Sequence, residues 1–117
     1  MRKKDPIYMR RVQEVVGAYK KVLDEHPFVG DAAYKTVRYS GVPRNTLSVA
    51  FKGRYGLNIR EYKLQVRMDR ACALLKSGVQ VKRVSILLHY TTSRAFVTAF
   101  KKQFGISPGR WSGARRP

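Results

Sequence analysis

Two sets of side chains in this 117-residue chain are suited to touching the edges of nucleic-acid bases. The first is Arg44, Asn45, Ser48 and Val49; the second is Ser93, Arg94, Val97 and Thr98. Asparagine matches the N6/N7 edge of adenine in a bidentate pair, arginine matches guanine, and valine packs on the thymine methyl. Arg94 is the strongest single candidate for a guanine contact. The bland reading of each residue is a solvated position on a helix. Further along lie Lys52, Arg54, Lys101 and Lys102, whose charges suit phosphates, and phosphate contacts position a protein without reading sequence.

The two sets occupy equivalent places beside a repeated pattern. Residues 47–57 read Leu-Ser-Val-Ala-Phe-Lys-Gly-Arg-Tyr-Gly-Leu, and residues 96–106 read Phe-Val-Thr-Ala-Phe-Lys-Lys-Gln-Phe-Gly-Ile. Leu47 pairs with Phe96, Phe51 with Phe100, Lys52 with Lys101 and Gly56 with Gly105. A repeat in so short a chain implies two copies of one device. Apolar residues four apart on a helix are core residues as a rule. Leu47, Phe51, Phe96 and Phe100 are therefore expected to face inward, which leaves the opposite face for function. Each copy follows a short helical segment and a turn, so the device reads as a helix-turn-helix used twice.

The formal charge is +18, from 25 Lys and Arg against 7 Asp and Glu. No acidic residue follows Asp69, whereas ten Lys or Arg do. Such a field attracts polyanions. With 44% hydrophobic residues the chain is able to bury a core. One cysteine, Cys72, excludes an intrachain disulfide framework and reads as a small core residue. With His26 and His89 far apart, no zinc-ligand spacing exists, and neither metal nor cofactor is expected. The basic Met1–Lys4 start has no apolar segment after it, and no run approaches the ~20 apolar residues of a membrane span, so the chain reads as cytoplasmic. A nucleic-acid hydrolase needs clustered carboxylates for metal. The seven acids are scattered, so no enzymatic activity is expected.

The elements follow from periodicity and punctuation. Residues 7–24 carry Val12, Val15, Val16, Tyr19, Val22 and Leu23 at helical spacing, ended by Pro27. A short helix is expected over 31–39, capped by Asp31, then a turn at Ser40-Gly41-Val42-Pro43 with Gly41 at positive φ and Pro43 opening the next helix. That helix runs to Tyr55 and stops at Gly56. Asn58 and Glu61 form a capping box opening a long helix over 59–76, with Tyr62, Leu64, Val66, Met68, Ala71, Ala73 and Leu75 covering much of its circumference. Ser77-Gly78 ends it. A fifth helix covers 80–88, with Val81, Val84, Ile86, Leu87 and Leu88 apolar. A turn at His89-Tyr90-Thr91 follows, then a sixth helix capped by Thr92 and reaching Phe104. A last short helix is capped by Ser107, with Pro108 first and Trp111 within it. The expected fold is all-α, about seven helices, in one DNA-binding unit. Its first subdomain spans 1–57 with a helix-turn-helix at about 31–55. A linker helix spans 58–77, and the second subdomain spans 78–117 with a helix-turn-helix at about 80–104.

With both copies laid out, the chain resembles the DNA-binding domain of the AraC/XylS family of bacterial transcription regulators over about residues 31–111. The resemblance rests on Ser40–Lys52, on Tyr62, Arg67, Ala71, Leu74 and Leu75 in the linker, and on Phe96, Ala99-Phe100-Lys101-Lys102, Phe104-Gly105-Ile106-Ser107-Pro108 and Trp111 at the close. It implies seven helices in two subdomains. The chain departs from the family's pattern at His89-Tyr90, where Gly-Phe is usual, and at Pro43, Thr36, Val37 and Ser112. Histidine tolerates positive φ better than most non-glycine residues, yet at a cost, so the second turn is expected to be altered or strained.

The resulting expectation is a sequence-specific regulator of transcription, an activator that also touches RNA polymerase. It would bind double-stranded DNA as a monomer, through two recognition helices in successive major grooves. The alternative is a non-specific basic nucleic-acid-binding protein. Fewer than 30 residues precede the first motif, so no effector domain is expected in this polypeptide. It is then either a stand-alone regulator or part of a longer chain.

Overall fold

A computed structural model describes residues 5–26 and 37–114. The described residues are helical and include no strand. The helices are α1 (Pro6–Glu25), α2 (Arg44–Tyr55), α3 (Ile59–Lys76), α4 (Val81–Leu87), α5 (Ser93–Phe104) and α6 (Pro108–Ala114). The chain divides into two compact units, residues 1–66 and 67–117, with the division falling inside α3.

In the first unit α1 opens where the Asp5 carboxylate accepts from the Ile7 N–H at 2.8 Å, with Pro6 in the first turn where its missing N–H does no harm. The helix ends at His26, whose extended φ of −136° suits the residue before a proline. Its buried stripe of Val12, Val15, Val16, Tyr19 and Leu23 packs with Val37, Val42, Leu47 and Phe51 into one core. Phe51 is the centre of an aromatic cluster. Its ring meets Tyr55 at 4.8 Å, Tyr62 at 5.4 Å and Tyr19 at 6.4 Å.

The second unit buries Met68, Ala71 and Leu75 of α3, Val84 and Leu88 around α4, and Phe96 and Phe100 of α5. Phe100 meets Phe104 at 4.5 Å and Trp111 at 5.9 Å. Tyr62 and Trp111 stand in the same relation to the two copies, so the repeat extends beyond its legible sequence. In each unit the central phenylalanine meets the aromatic ring four residues on in its own helix and one from the helix that follows. The caps repeat as well. The Asn58 side chain accepts from the Glu61 N–H at 2.8 Å, and the Ser107 hydroxyl accepts from the Arg110 N–H at 3.3 Å. Both α2 and α5 stop at a left-handed glycine, Gly56 at φ 79° and Gly105 at φ 82°, where any other residue is strained.

Several expectations are corrected. Of the helix expected over 31–39, residues 31–36, including Asp31 and Thr36, lie outside the described residues. Residues 37–39 form a turn in which the Ser40 N–H donates to the Val37 carbonyl at 3.0 Å. Pro43 precedes α2 with ψ 150° rather than occupying its first turn. The linker helix is not covered around its circumference. It buries Met68, Ala71 and Leu75, one face at three-to-four spacing, while Ala73 is exposed and Tyr62, Leu64 and Val66 are half-buried. Cys72, beside that face, is half-buried rather than a core residue. Of the apolar residues around α4, Val84 and the capping Leu88 are buried, together with Ser85, while Ile86 and Leu87 are exposed.

Candidate nucleic-acid interface

Leu47, Phe51, Phe96 and Phe100 are fully buried. Their burial fixes the rotation of α2 and α5 in their own units and turns the other faces outward. On α2, Arg44, Asn45 and Val49 are exposed and Ser48 is half-buried. Val49 is 68% exposed, far more than an aliphatic side chain of a monomeric core shows. On α5, Arg94 and Thr98 are exposed and Ser93 and Val97 are half-buried. Each set thus gathers on the first turns of one helix. Lys52, Lys101 and Lys102 are exposed in the last turns.

Arg54 and Ser93 are engaged within the protein. The Arg54 guanidinium donates to the Gln13 carbonyl of α1 at 3.1 Å and stacks over the Tyr55 ring at 5.2 Å. It ties α2 to α1. The Ser93 hydroxyl lies 3.2 Å from that of Ser85, which is buried and donates to the Lys82 carbonyl. Ser93 therefore links α5 to α4. Sequence spacing identified the helix turn for both residues but had no means to show the neighbouring helix that captures them.

Two concavities in the first unit flank the α2 set. One, of about 310 Å³, has Tyr8, Met9, Val12 and Gln13 of α1 facing Asn45, Thr46, Val49 and Ala50. The other, of about 360 Å³, places Asn58, Arg60 and Lys63 beside Arg44 and Ser48. Spacing along α2 alone missed these neighbours. Three cations closing on one cleft is a signal visible only once α3 is placed.

The turns that set α2 and α5 differ by one residue. In the first, positive-φ Gly41 (φ 85°) is followed by buried Val42 and then Pro43 at the cap. In the second, His89 takes φ 61°, then come Tyr90, one extra residue in Thr91, and Thr92, whose side chain accepts from the Ala95 N–H at 3.0 Å. The backbone shape is retained at His89 despite its side chain. The Tyr90 ring packs on Phe96 at 5.5 Å, and its hydroxyl is buried without a hydrogen-bond partner among the described residues.

The model of a helix-turn-helix domain family matches residues 36–114. The chain is 36% identical over 76 residues to the F1 operon positive regulatory protein of Yersinia pestis, covering 64% of this chain and 25% of that protein. It spans about a quarter or less of the length of the curated relatives it matches first. Among solved structures it is similar to the DNA-binding domain of AdpA, a global transcriptional factor, in complex with a target DNA (TM-score 0.71, 21% identity, 91% of this chain and 93% of that one). It is also similar to an AraC-type transcriptional regulator from Chromobacterium violaceum (TM-score 0.70, 23% identity, 88% and 92%). With a match over most of its length and the same fold, the chain belongs to the AraC-type helix-turn-helix family of DNA-binding transcription regulators.

Proposed function

We propose that this protein reads an asymmetric double-stranded DNA site with two recognition helices, α2 and α5, and regulates transcription from it as an activator that also touches RNA polymerase. The carrying observation is the pairing, in both units, of a fully buried Leu47/Phe51 or Phe96/Phe100 stripe with an outward N-terminal face bearing small, polar and arginine side chains. A recognition helix reads base edges with side chains near its N-terminus. On α2 the readers are Arg44, Asn45, Ser48 and Val49. On α5 they are Arg94, Val97 and Thr98, with Ser93 holding the first turn on α4. Lys52, Lys101 and Lys102 neutralise phosphates. Two non-identical motifs in tandem favour a monomer on an asymmetric site of about 20 bp, its two blocks about one helical turn apart. Such a protein acts in the cytoplasm, on the nucleoid.

Binding-site selection from a random duplex library at physiological salt tests this reading, since charge attraction alone is weakened there. The expected result is a motif with two unlike blocks. Arg94→Ala should relax preference at one or two base pairs of one block, at a cost of about 1–3 kcal/mol in discrimination. Absence of any enriched motif would establish a binder that works by charge alone.

A further inference from the structure

We propose that the cleft between the first turns of α2 and α3 binds a phosphate of the duplex backbone, with Arg60 and Lys63 as its ligands. The inference rests on the DNA-binding reading above and adds a site on the linker helix. The cleft, about 360 Å³, has Arg44 and Ser48 on one wall and Arg60 and Lys63 on the other, over an apolar floor that includes Leu47 and Ile59. Positions 60 and 63 are three apart on α3 and share a face. Arg60 is exposed, and Lys63 is half-buried, so its stem lies along the protein surface. The nearest acid in sequence, Glu61, does not line the cleft, and its carboxylate accepts from the Asn58 N–H at 3.1 Å in the cap.

The repeat supplies an independent argument. Behind Lys101, α5 carries a second exposed cation, Lys102; the equivalent α2 position is Gly53, and the next cation, Arg54, is held on α1. The equivalents of Arg60 and Lys63 in the second copy are Gly109 and Ser112, which are uncharged. The first turn of the helix after α5 carries one cation, Arg110, at the position of Glu61, whereas α3 carries two, Arg60 and Lys63, at the positions that line the cleft. Because Arg44 and Ser48 line the same cleft, a phosphate held there lies at the edge of the bases that α2 reads. Contacts of this kind fix register without carrying sequence information.

The test compares the salt dependence of binding to the selected duplex for the full chain, for an R60Q/K63Q variant and for a K21Q/K76Q variant of equal net charge. The expected result is a log–log slope shallower by about 0.9 for each phosphate that is no longer neutralised, in R60Q/K63Q alone. The selected sequence and the thermal midpoint should stay unchanged. An equal change in both variants would assign the effect to the general field and overturn the proposal, as would no change in either. Titration of the unliganded protein with inorganic phosphate, followed by side-chain NMR of Arg60 and Lys63, covers a free phosphorylated ligand. Saturable binding there with an unchanged DNA slope would also overturn the proposal. If wild-type selection yields no motif, the slopes are measured on a random duplex. The sequence-reading proposal then fails while the cleft is still decided.

Discussion

At the scale of single residues, the second turn shows what a backbone position demands of its side chain. The fold calls for positive φ before α5, and the chain meets it with His89 at 61° rather than with glycine. The next residue, Tyr90, fills an apolar place beside Phe96 but brings a hydroxyl that finds no partner among the described residues. Both features cost stability, and for separable reasons. A non-glycine residue in the left-handed region is strained by about 1 kcal/mol or more, and a buried unsatisfied hydroxyl costs about 1–3 kcal/mol. Glycine at 89 gives back about 0.5–1 kcal/mol through the entropy of the unfolded chain. A double H89G/Y90F variant should therefore be more stable than the natural chain by about 2 kcal/mol in urea unfolding. Equal or lower stability would show that His89 and Tyr90 contribute interactions outweighing both costs. The departure at these two residues was legible in the sequence, and so was the positive φ. The orphaned hydroxyl was not, because satisfaction of a buried group depends on atoms distant in sequence.

At the scale of elements, legibility followed how local the cause was. The start and end of α3, the left-handed glycines after α2 and α5, and the Asn58/Glu61 and Thr92 caps are set within a few residues, and the sequence displays them. Which part of α3 is covered is set by the packing of other helices, so its stripes overstated the burial of Ala73. The same division holds in the candidate interface. The inward stripe was legible from the repeat, whereas the capture of Arg54 by α1 and of Ser93 by α4 was not. A second non-local device joins α1 to α3 within the first unit. Lys20 lies 2.7 Å from the Asp24 carboxylate, which also accepts from the Tyr62 hydroxyl, and the Lys20 ammonium sits 5.6 Å from the Tyr55 and Tyr62 ring centres. Burial pushes the Asp24 carboxyl up, but the hydrogen bonds from Lys20 and Tyr62 and the Lys20 charge hold it below its ordinary value. The Asp24 hydrogen bond raises Lys20, and burial followed by the same carboxylate raises Tyr62. A lowered carboxyl stabilises the fold above its unfolded value of about 3.9, and loses that effect as pH falls through the folded value. Raised Lys20 and Tyr62 contribute below their unfolded values, near 10, and lose the effect as pH rises through the folded ones. The stability gap between wild type and Asp24→Asn should thus be widest from about pH 5 to 9 and close toward pH 3. Because the pair is partly exposed, the gap is held to about 1 kcal/mol by solvent screening. A gap independent of pH in denaturant titrations would dissociate Asp24 from this network.

At the scale of the whole molecule, charge acts on folding and binding in opposite directions. The first unit carries fourteen Lys and Arg against six acids, and the second carries eleven against one, so each is strongly basic and the total is +18. A field of this size draws in a polyanion and repels itself in the compact free protein. Added salt screens both effects. Raising salt from about 50 to about 200 mM should therefore raise the thermal midpoint of the free protein while weakening its binding to any duplex. For about six neutralised phosphates the log–log slope of affinity is near −5. Base-edge contacts are not counterion-releasing, so discrimination between the selected duplex and a random one should survive the same salt change. Calorimetric melts and binding isotherms at the two salt concentrations check the three trends together. A midpoint that falls with salt would mean that attractive pairs such as Lys20–Asp24 outweigh the repulsion. Discrimination that vanishes with salt would mean that the outward faces of α2 and α5 contribute charge and no reading.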